Sequence, residues 1–233
     1  WGAYYVTTLH AYEPVVMENA LIYSDNIYFA KAALKIGAGQ LKTSLLNLGF
    51  TQRIPFEIAM SKSRYSNTEN IETEIQLADS GYGQGQMLIN PLHLAGIYTA
   101  FCNEGNMIKP YLVWQEDTRP QYWIKNAFSK ETASLVCSGM QKVISDVHGT
   151  GYKAYRDDVV LAGKTGTAEI KAAKEDTSGT ELGWFVVLTA EKTVDRPVLI
   201  VSMTEDVKGR GGSGYVVEKQ KQVLDHWFST AGS

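Results

Sequence analysis

A cation, two hydroxyls and a glycine stand together at Lys164-Thr165-Gly166-Thr167, inside the run Leu161-Ala162-Gly163-Lys164-Thr165-Gly166-Thr167-Ala168-Glu169. Val159, Val160 and Leu161 make the segment read as a strand. On one strand edge these residue types suit an extended substrate that ends in a carboxylate. Lys164 supplies long-range attraction, and Thr165 and Thr167 supply hydrogen bonds. Gly166 keeps side-chain bulk off the edge, so that a peptide can lie along it as an added strand. Lys-Thr-Gly also occurs at ordinary turns, so the run alone fixes no chemistry.

A second group lies upstream. Ser24-Asp25-Asn26 interrupts a helical pattern from Pro14 to about Gly37, whose apolar positions are Val16, Ala20, Ile27, Ala30 and Leu34. Asp and Asn are poor in helix interiors because their side chains compete for nearby backbone groups. The trio therefore marks a break in the helix, a local rule violation of the kind found at functional sites.

The elements that must position these residues change period along the chain. Leu41, Leu45, Leu46 and Leu48 fit a short helix ending at Gly49, and a further short helix is expected near Ile71–Leu77. Asn90-Pro91 opens a helix with Asn at the N-cap and Pro at the first helical position; Leu94, Ile97, Tyr98 and Phe101 form its apolar face. Another helix starts at Ser129 with a buried stripe of Leu135, Val136, Met140, Val143 and Ile144. Strands follow at Val159–Ile170, Leu182–Ala190 and Pro197–Thr204. The last two are nearly continuous apolar runs that need cover on both faces. Tyr215 to Phe228 closes the chain as a helix, with Val216, Val223, Leu224, Trp227 and Phe228 facing the sheet. The polar Lys171–Glu181 connection could gate access to the Lys164 edge, and Gly209–Gly214 reads as a flexible loop. Helices followed by an antiparallel sheet and a helix suit an α/β fold.

Composition bounds the partners. The chain has 233 residues, 44% of them hydrophobic, with six prolines, enough for a real core and without a linker-like stretch. A net charge of −3 and an even spread of lysines disfavour nucleic acid as a partner. No apolar run is long enough to span a membrane. Cys102 and Cys137 read as buried thiols, and the four histidines have no metal-ligand spacing. Gly81-Tyr82-Gly83-Gln84-Gly85 lacks the Lys-Ser/Thr ending of a phosphate loop.

Ser-Asp-Asn and Lys-Thr-Gly, in that order, are two of the three motifs shared by class A β-lactamases and penicillin-binding proteins. Tyr82-Gly83-Gln84-Gly85-Gln86, then Asn90-Pro91-Leu92, Ala95, Tyr98, and Asn103-Glu104-Gly105 with Pro110, resembles the centre of penicillin-binding protein transpeptidase domains. The resemblance runs from Trp1 to about Phe228 and looks closest to class B enzymes, including the low-affinity type that resists penicillin.

It implies a β-lactamase/transpeptidase-like sandwich of a helical region and an antiparallel sheet, incomplete at its N-terminal side. Residues 1–233 would be the C-terminal part of one domain, with 1–150 mainly helical and 151–233 holding three strands and the closing helix. The implied function is peptidoglycan D,D-transpeptidation through a serine ester, without a cofactor, on stem peptides ending in D-Ala-D-Ala and inhibited by β-lactams. The parent would sit on the extracytoplasmic face of the membrane, anchored through an absent N-terminal segment.

By the same resemblance Ser24 passes a proton to the leaving nitrogen, and Asn26 donates its amide to the acyl-side carbonyl. Asp25 braces the turn. Lys164 sets the positive potential, and Thr165 and Thr167 bind the carboxylate beside Gly166. The third motif, Ser-x-x-Lys, occurs nowhere in the chain; its nearest imitation is Thr150-Gly151-Tyr152-Lys153. The chain is therefore expected to be inactive alone, its nucleophile and the first strands of the fold lying in the missing N-terminal part. Two rivals stand beside this reading: a β-lactam sensor that is acylated without turnover, and a serine β-lactamase using Glu72 or Glu74 to activate water.

Overall fold

The computed structural model describes residues 2, 4–170, 179–191 and 193–229. Its helices and strands, in chain order, are α1 (Met17–Ile22), α2 (Asn26–Ile36), α3 (Ala38–Asn47), α4 (Glu74–Ser80), α5 (Pro91–Phe101), β1 (Met107–Ile108), β2 (Tyr122–Ile124), α6 (Lys130–Ser145), β3 (Leu161–Ile170), β4 (Thr180–Thr189), β5 (Leu199–Thr204) and α7 (Ser213–Ser229). They fall into two compact units. The first comprises the residues up to Ala11 with Asp25–Val136, and the second comprises Tyr12–Ser24 with the chain from Cys137 onward.

In the first unit the Asn-Pro signal acts as expected. Asn90 Oδ1 accepts the Leu92 N–H at 2.9 Å and Pro91 occupies the first turn of α5. The helix buries His93, Gly96, Ile97 and Ala100 against Phe50, Tyr65, Leu77 and Met107. His93 is fully enclosed, between the rings of Phe50 and Trp123. The Leu48 carbonyl can only accept, so Nε2 carries the proton towards it at 2.8 Å, and Nδ1 accepts from Ser63 Oγ at 2.7 Å. Burial lowers its pKa below the usual histidine range, against the raising effect of the Leu48 bond. The helix expected near Ile71–Leu77 begins later, at Glu74, where Thr73 Oγ1 accepts the Gln76 N–H. The β1–β2 pair, antiparallel through Met107↔Ile124, carried no periodicity to announce it.

The second unit holds an antiparallel sheet in the order β3-β4-β5. Register pairs Lys164 with Val186 and Gly166 with Trp184. On β4, Phe185, Val186, Val187 and Leu188 are all buried, as its unbroken apolar run requires. The same expectation fails for β5, which is half-buried, with Met203 41% exposed. Its position at the end of the described strand order explains the difference. Ile144, Leu161, Phe185, Val187, Val207, Val216 and Leu224 form the core.

Two stripe assignments need correction. Leu135 is 60% exposed, and Ala133, Cys137, Met140 and Ile144 make the buried line of α6 instead. Val223 is 54% exposed because Val216, Gln220 and Leu224, four apart, occupy the buried line of α7. Gln220 tolerates burial by donating Nε2–H to the Ile200 carbonyl at 3.3 Å. Of the Lys171–Glu181 connection, 171–178 lie outside the described residues.

Candidate active site

The helical pattern breaks where the sequence places Ser-Asp-Asn. Helix α1 stops at Ile22, and Ser24 adopts φ 54°, a left-handed conformation uncommon outside glycine. Its N–H turns back to the Leu21 carbonyl at 3.2 Å. Within the same unit, Lys164 on β3 extends its ammonium to Ser24. Nζ donates to Ser24 Oγ at 2.6 Å and to the Thr165 carbonyl at 2.9 Å. Desolvation pushes the Lys164 pKa down to about 8. An ammonium that donates to Oγ leaves the Ser24 O–H to point at some other acceptor. A cation and a hydroxyl so arranged can pass a proton and hold negative charge beside them.

Along the rest of the Lys-Thr-Gly edge, Thr165 and Thr167 share one face of β3 but meet different neighbours. Thr165 is buried, and its hydroxyl donates to Thr150 Oγ1 at 2.6 Å. Thr167 is exposed on the strand, and its Oγ1 accepts the Ser213 N–H at 3.2 Å, where α7 begins. The Gly209–Gly214 segment, read from sequence as flexible, thus lies against Thr167; a Cβ on Gly212 would come within 3.2 Å of Thr167 Oγ1. Gly166 differs from its neighbour Gly163. A Cβ at Gly163 would lie 2.6 Å from the Val186 carbonyl, whereas one at Gly166 would meet only Trp184 Cβ at 3.5 Å. Packing within the chain demands glycine at the first position and not at the second.

Asn26 belongs to the other unit, where it is the first residue of α2. Asp25 makes that start possible, accepting the Ile27 N–H at 2.8 Å and the Tyr28 N–H at 3.2 Å through Oδ1. Gly81 supports the same helix from below: a Cβ there would fall 2.5 Å from the Phe29 carbonyl. Asp79 accepts hydrogen bonds from the hydroxyls of Tyr82, at 2.6 Å, and of Tyr4. The glycine-rich stretch therefore packs as a support for α2. Glu72 and Glu74 are exposed.

The structure thus gathers Ser24, Lys164, Thr165, Gly166 and Thr167 in one unit, together with a residue that sequence reasoning did not assign to the site, Thr150. The available signal was a hydroxyl residue flanked by Gly149 and Gly151 just after a helix. Cys137 is buried and Cys102 half-buried, and neither forms a disulfide. Among the described residues no cluster of His, Cys, Asp or Glu could hold a metal ion, and no helix is long and apolar enough to cross a membrane.

Solved structures identify the fold. The transpeptidase domain of Burkholderia pseudomallei penicillin-binding protein 3 aligns with a TM-score of 0.77 at 20% identity, over 97% of this chain and 68% of that one. The D,D-transpeptidase domain of a peptidoglycan glycosyltransferase from Eggerthella lenta gives 0.73 at 24% identity, over 94% and 54%. These are mixed helix and antiparallel-sheet domains of the β-lactamase/transpeptidase type, as expected from sequence.

The family model for the penicillin binding protein transpeptidase domain matches residues 1–225, and the chain belongs to that family. Penicillin-binding protein 3 of Bacillus subtilis is 43% identical over 223 residues, covering 95% of this chain and 33% of the relative. The peptidoglycan D,D-transpeptidase MrdA of Haemophilus influenzae is 25% identical over 241 residues, covering 91% and 36%. The chain spans about a third of the length of these curated relatives.

Proposed function

We propose that these residues supply the substrate-binding and proton-relay part of a serine peptidoglycan D,D-transpeptidase. The observation that carries the reading is the 2.6 Å hydrogen bond from Lys164 Nζ to Ser24 Oγ, which joins the Lys-Thr-Gly and Ser-Asp-Asn motifs. The relatives named as penicillin-binding protein and D,D-transpeptidase support the same class of reaction.

In this mechanism a serine hydroxyl attacks the carbonyl between the last two D-alanines of a stem peptide. An ester forms, the C–N bond breaks, and the departing amine takes up a proton. An amine of a neighbouring stem then attacks the ester and releases the serine. The 233 residues contain no Ser-x-x-Lys, so the nucleophile comes from outside them. Ser24 delivers the proton to the leaving nitrogen, and Lys164, polarising Ser24 Oγ, makes its O–H a better donor. The Lys164 charge attracts the terminal carboxylate, and the Thr165 and Thr167 hydroxyls bind it. Gly166 leaves the β3 edge open for the extended peptide. The family motif gives Asn26 the amide that donates to the acyl-side carbonyl. The Thr167 backbone N–H would form half of an oxyanion hole, the nucleophile's own N–H the other half. Penicillin enters as an acylating mimic of D-Ala-D-Ala, and the reaction belongs outside the cytoplasmic membrane, where peptidoglycan is cross-linked.

The test is Lys164→Ala in the full-length protein that contains this chain. Penicillin acylation should slow by about two orders of magnitude or more, comparable to losing one transition-state donor, while thermal stability holds. Unchanged acylation would remove Lys164 from the site. Acylation without cross-linking of stem peptides would favour a β-lactam sensor, and rapid release of hydrolysed penicillin a β-lactamase.

A further inference from the structure

Thr150 begins a stretch, Thr150-Gly151-Tyr152-Lys153, that imitates the missing nucleophile motif, yet Lys153 takes no part: its ammonium pairs with Glu218 and is largely exposed. Thr150 itself is held rigidly. Asp146 caps the turn after α6, its Oδ1 accepting the His148 N–H and its carbonyl the Gly149 N–H, both at 2.8 Å. The Gly151 N–H donates to the Val143 carbonyl at 3.2 Å. A Cβ on Gly149 would lie 2.1 Å from that carbonyl oxygen, and one on Gly151 2.6 Å from Ile144 Cδ1. Only glycines on both sides let the backbone of Thr150 come this close to the core.

From that seat Thr150 bonds to both segments that carry the Ser24–Lys164 pair. Its N–H donates to the carbonyl of Ile22, the last residue of α1, at 3.2 Å. Its Oγ1 accepts the Thr165 hydroxyl at 2.6 Å, one residue along β3 from Lys164. Tyr23, just before Ser24, stacks on His148 of the same turn with centroids 5.9 Å apart.

We infer that Thr150 is a positioning residue of this site, whose hydroxyl aims the Thr165 O–H while its backbone N–H anchors the end of α1. The inference rests on the reading that the Lys-Thr-Gly edge takes a carboxylate. A carboxylate only accepts hydrogen bonds, and the single Thr165 proton points at Thr150. To donate to the ligand, Thr165 must turn its proton outward. Thr150 can then turn its own proton to Thr165 Oγ1, so the contact between the two oxygens reverses and is not lost. A hydroxyl that accepts such a bond is also a stronger donor to the anion. Valine at this position keeps the shape and the backbone N–H but supplies no proton.

Acylation rate constants of the full-length protein with a penicillin and with its methyl ester test this. The ratio of the two isolates carboxylate recognition and is independent of how much protein is folded. Thr150→Val should reduce the carboxylate-to-ester ratio about tenfold, as expected for weakening one hydrogen bond to a charged group. Thr150→Ser should restore it. Should Thr150→Val express poorly, Thr150→Ala read against Thr150→Ser carries the same comparison. An unchanged or increased ratio in Thr150→Val or Thr150→Ala overturns the inference. Lys164→Ala is the control: if it too leaves the ratio intact, the carboxylate reading of the edge has failed, whereas loss of the ratio there alone confines the failure to Thr150.

Discussion

Raising the pH through the titration of Lys164 separates its charge from its contacts. Desolvation lowers the ammonium to about 8, so Lys164 is mostly charged at neutral pH and mostly neutral a unit above that value. Its two hydrogen bonds, to Ser24 Oγ and the Thr165 carbonyl, each need one N–H, and a neutral amine still has two. The geometry can therefore survive deprotonation while the charge is lost. If that charge draws in the carboxylate and sustains the proton relay, the second-order rate constant for penicillin acylation should fall ~10-fold per pH unit above the titration point.

The stability effect has the opposite sign. The folded pKa lies below the ordinary lysine value of 10.5, so between about 8 and 10.5 the unfolded chain binds more protons. Through this group, raising the pH across that window favours the folded state. Loss of acylation there cannot be unfolding driven by Lys164. Stopped-flow acylation of the full-length protein across the range, with thermal melts at each pH, checks both signs. A rate that stays flat a full unit above the titration point refutes the role of the charge. An alkaline limb that persists unchanged in Lys164→Ala assigns it to another group.

Asp25→Ala removes the acceptor for two N–H groups at the start of α2 and should cost about 1 kcal/mol in urea unfolding. Gly81→Ala and Gly166→Ala should part company. The first drives a Cβ to 2.5 Å from the Phe29 carbonyl, an overpacking penalty of about 2 kcal/mol. The second meets nothing closer than 3.5 Å, so stability should stay within about 0.5 kcal/mol while acylation slows because the strand edge is obstructed. Incubated with a fluorescent penicillin, the 233-residue chain alone should keep its intact mass, since it contains no Ser-x-x-Lys to be acylated; a stoichiometric adduct on Ser24 would overturn its assignment as a relay.

Legibility followed the range of the interactions. Helix α5 and the break before α2 were readable because Asn90, Pro91 and Asp25 act on backbone groups two or three residues away. Strand β4 was readable because burial on both faces leaves an unbroken apolar run. The assignments failed where a distant partner decides. Gln220 displaces Val223 from the buried line of α7 because its Nε2–H finds the Ile200 carbonyl of β5. His93 enters the core of its unit because Ser63 and Leu48 satisfy both ring nitrogens. Thr150 could be matched to Thr165 only once the turn after α6 was seen against β3.

At the candidate site two locally unfavourable choices converge. Ser24 adopts φ 54°, where glycine would be easier by about 1 kcal/mol. Lys164 gives up part of its hydration, as its lowered pKa records. Neither choice is needed by the fold at its own position: a glycine would serve the turn, and an apolar residue would serve the strand. What the two share is the 2.6 Å contact between Nζ and Oγ, which needs a hydroxyl on the turn and a cation on the strand. Nearby side chains restrain the pair without replacing either member. The turn that carries Thr150 holds the end of α1 and the strand beside Lys164. A chain that placed strain, desolvation and a bracing turn at the same few residues for packing alone would gain stability from simpler ones. Substitution of Ser24 by Gly is thus expected to leave the fold at least as stable while removing the proton path, the combination that marks a residue kept for chemistry.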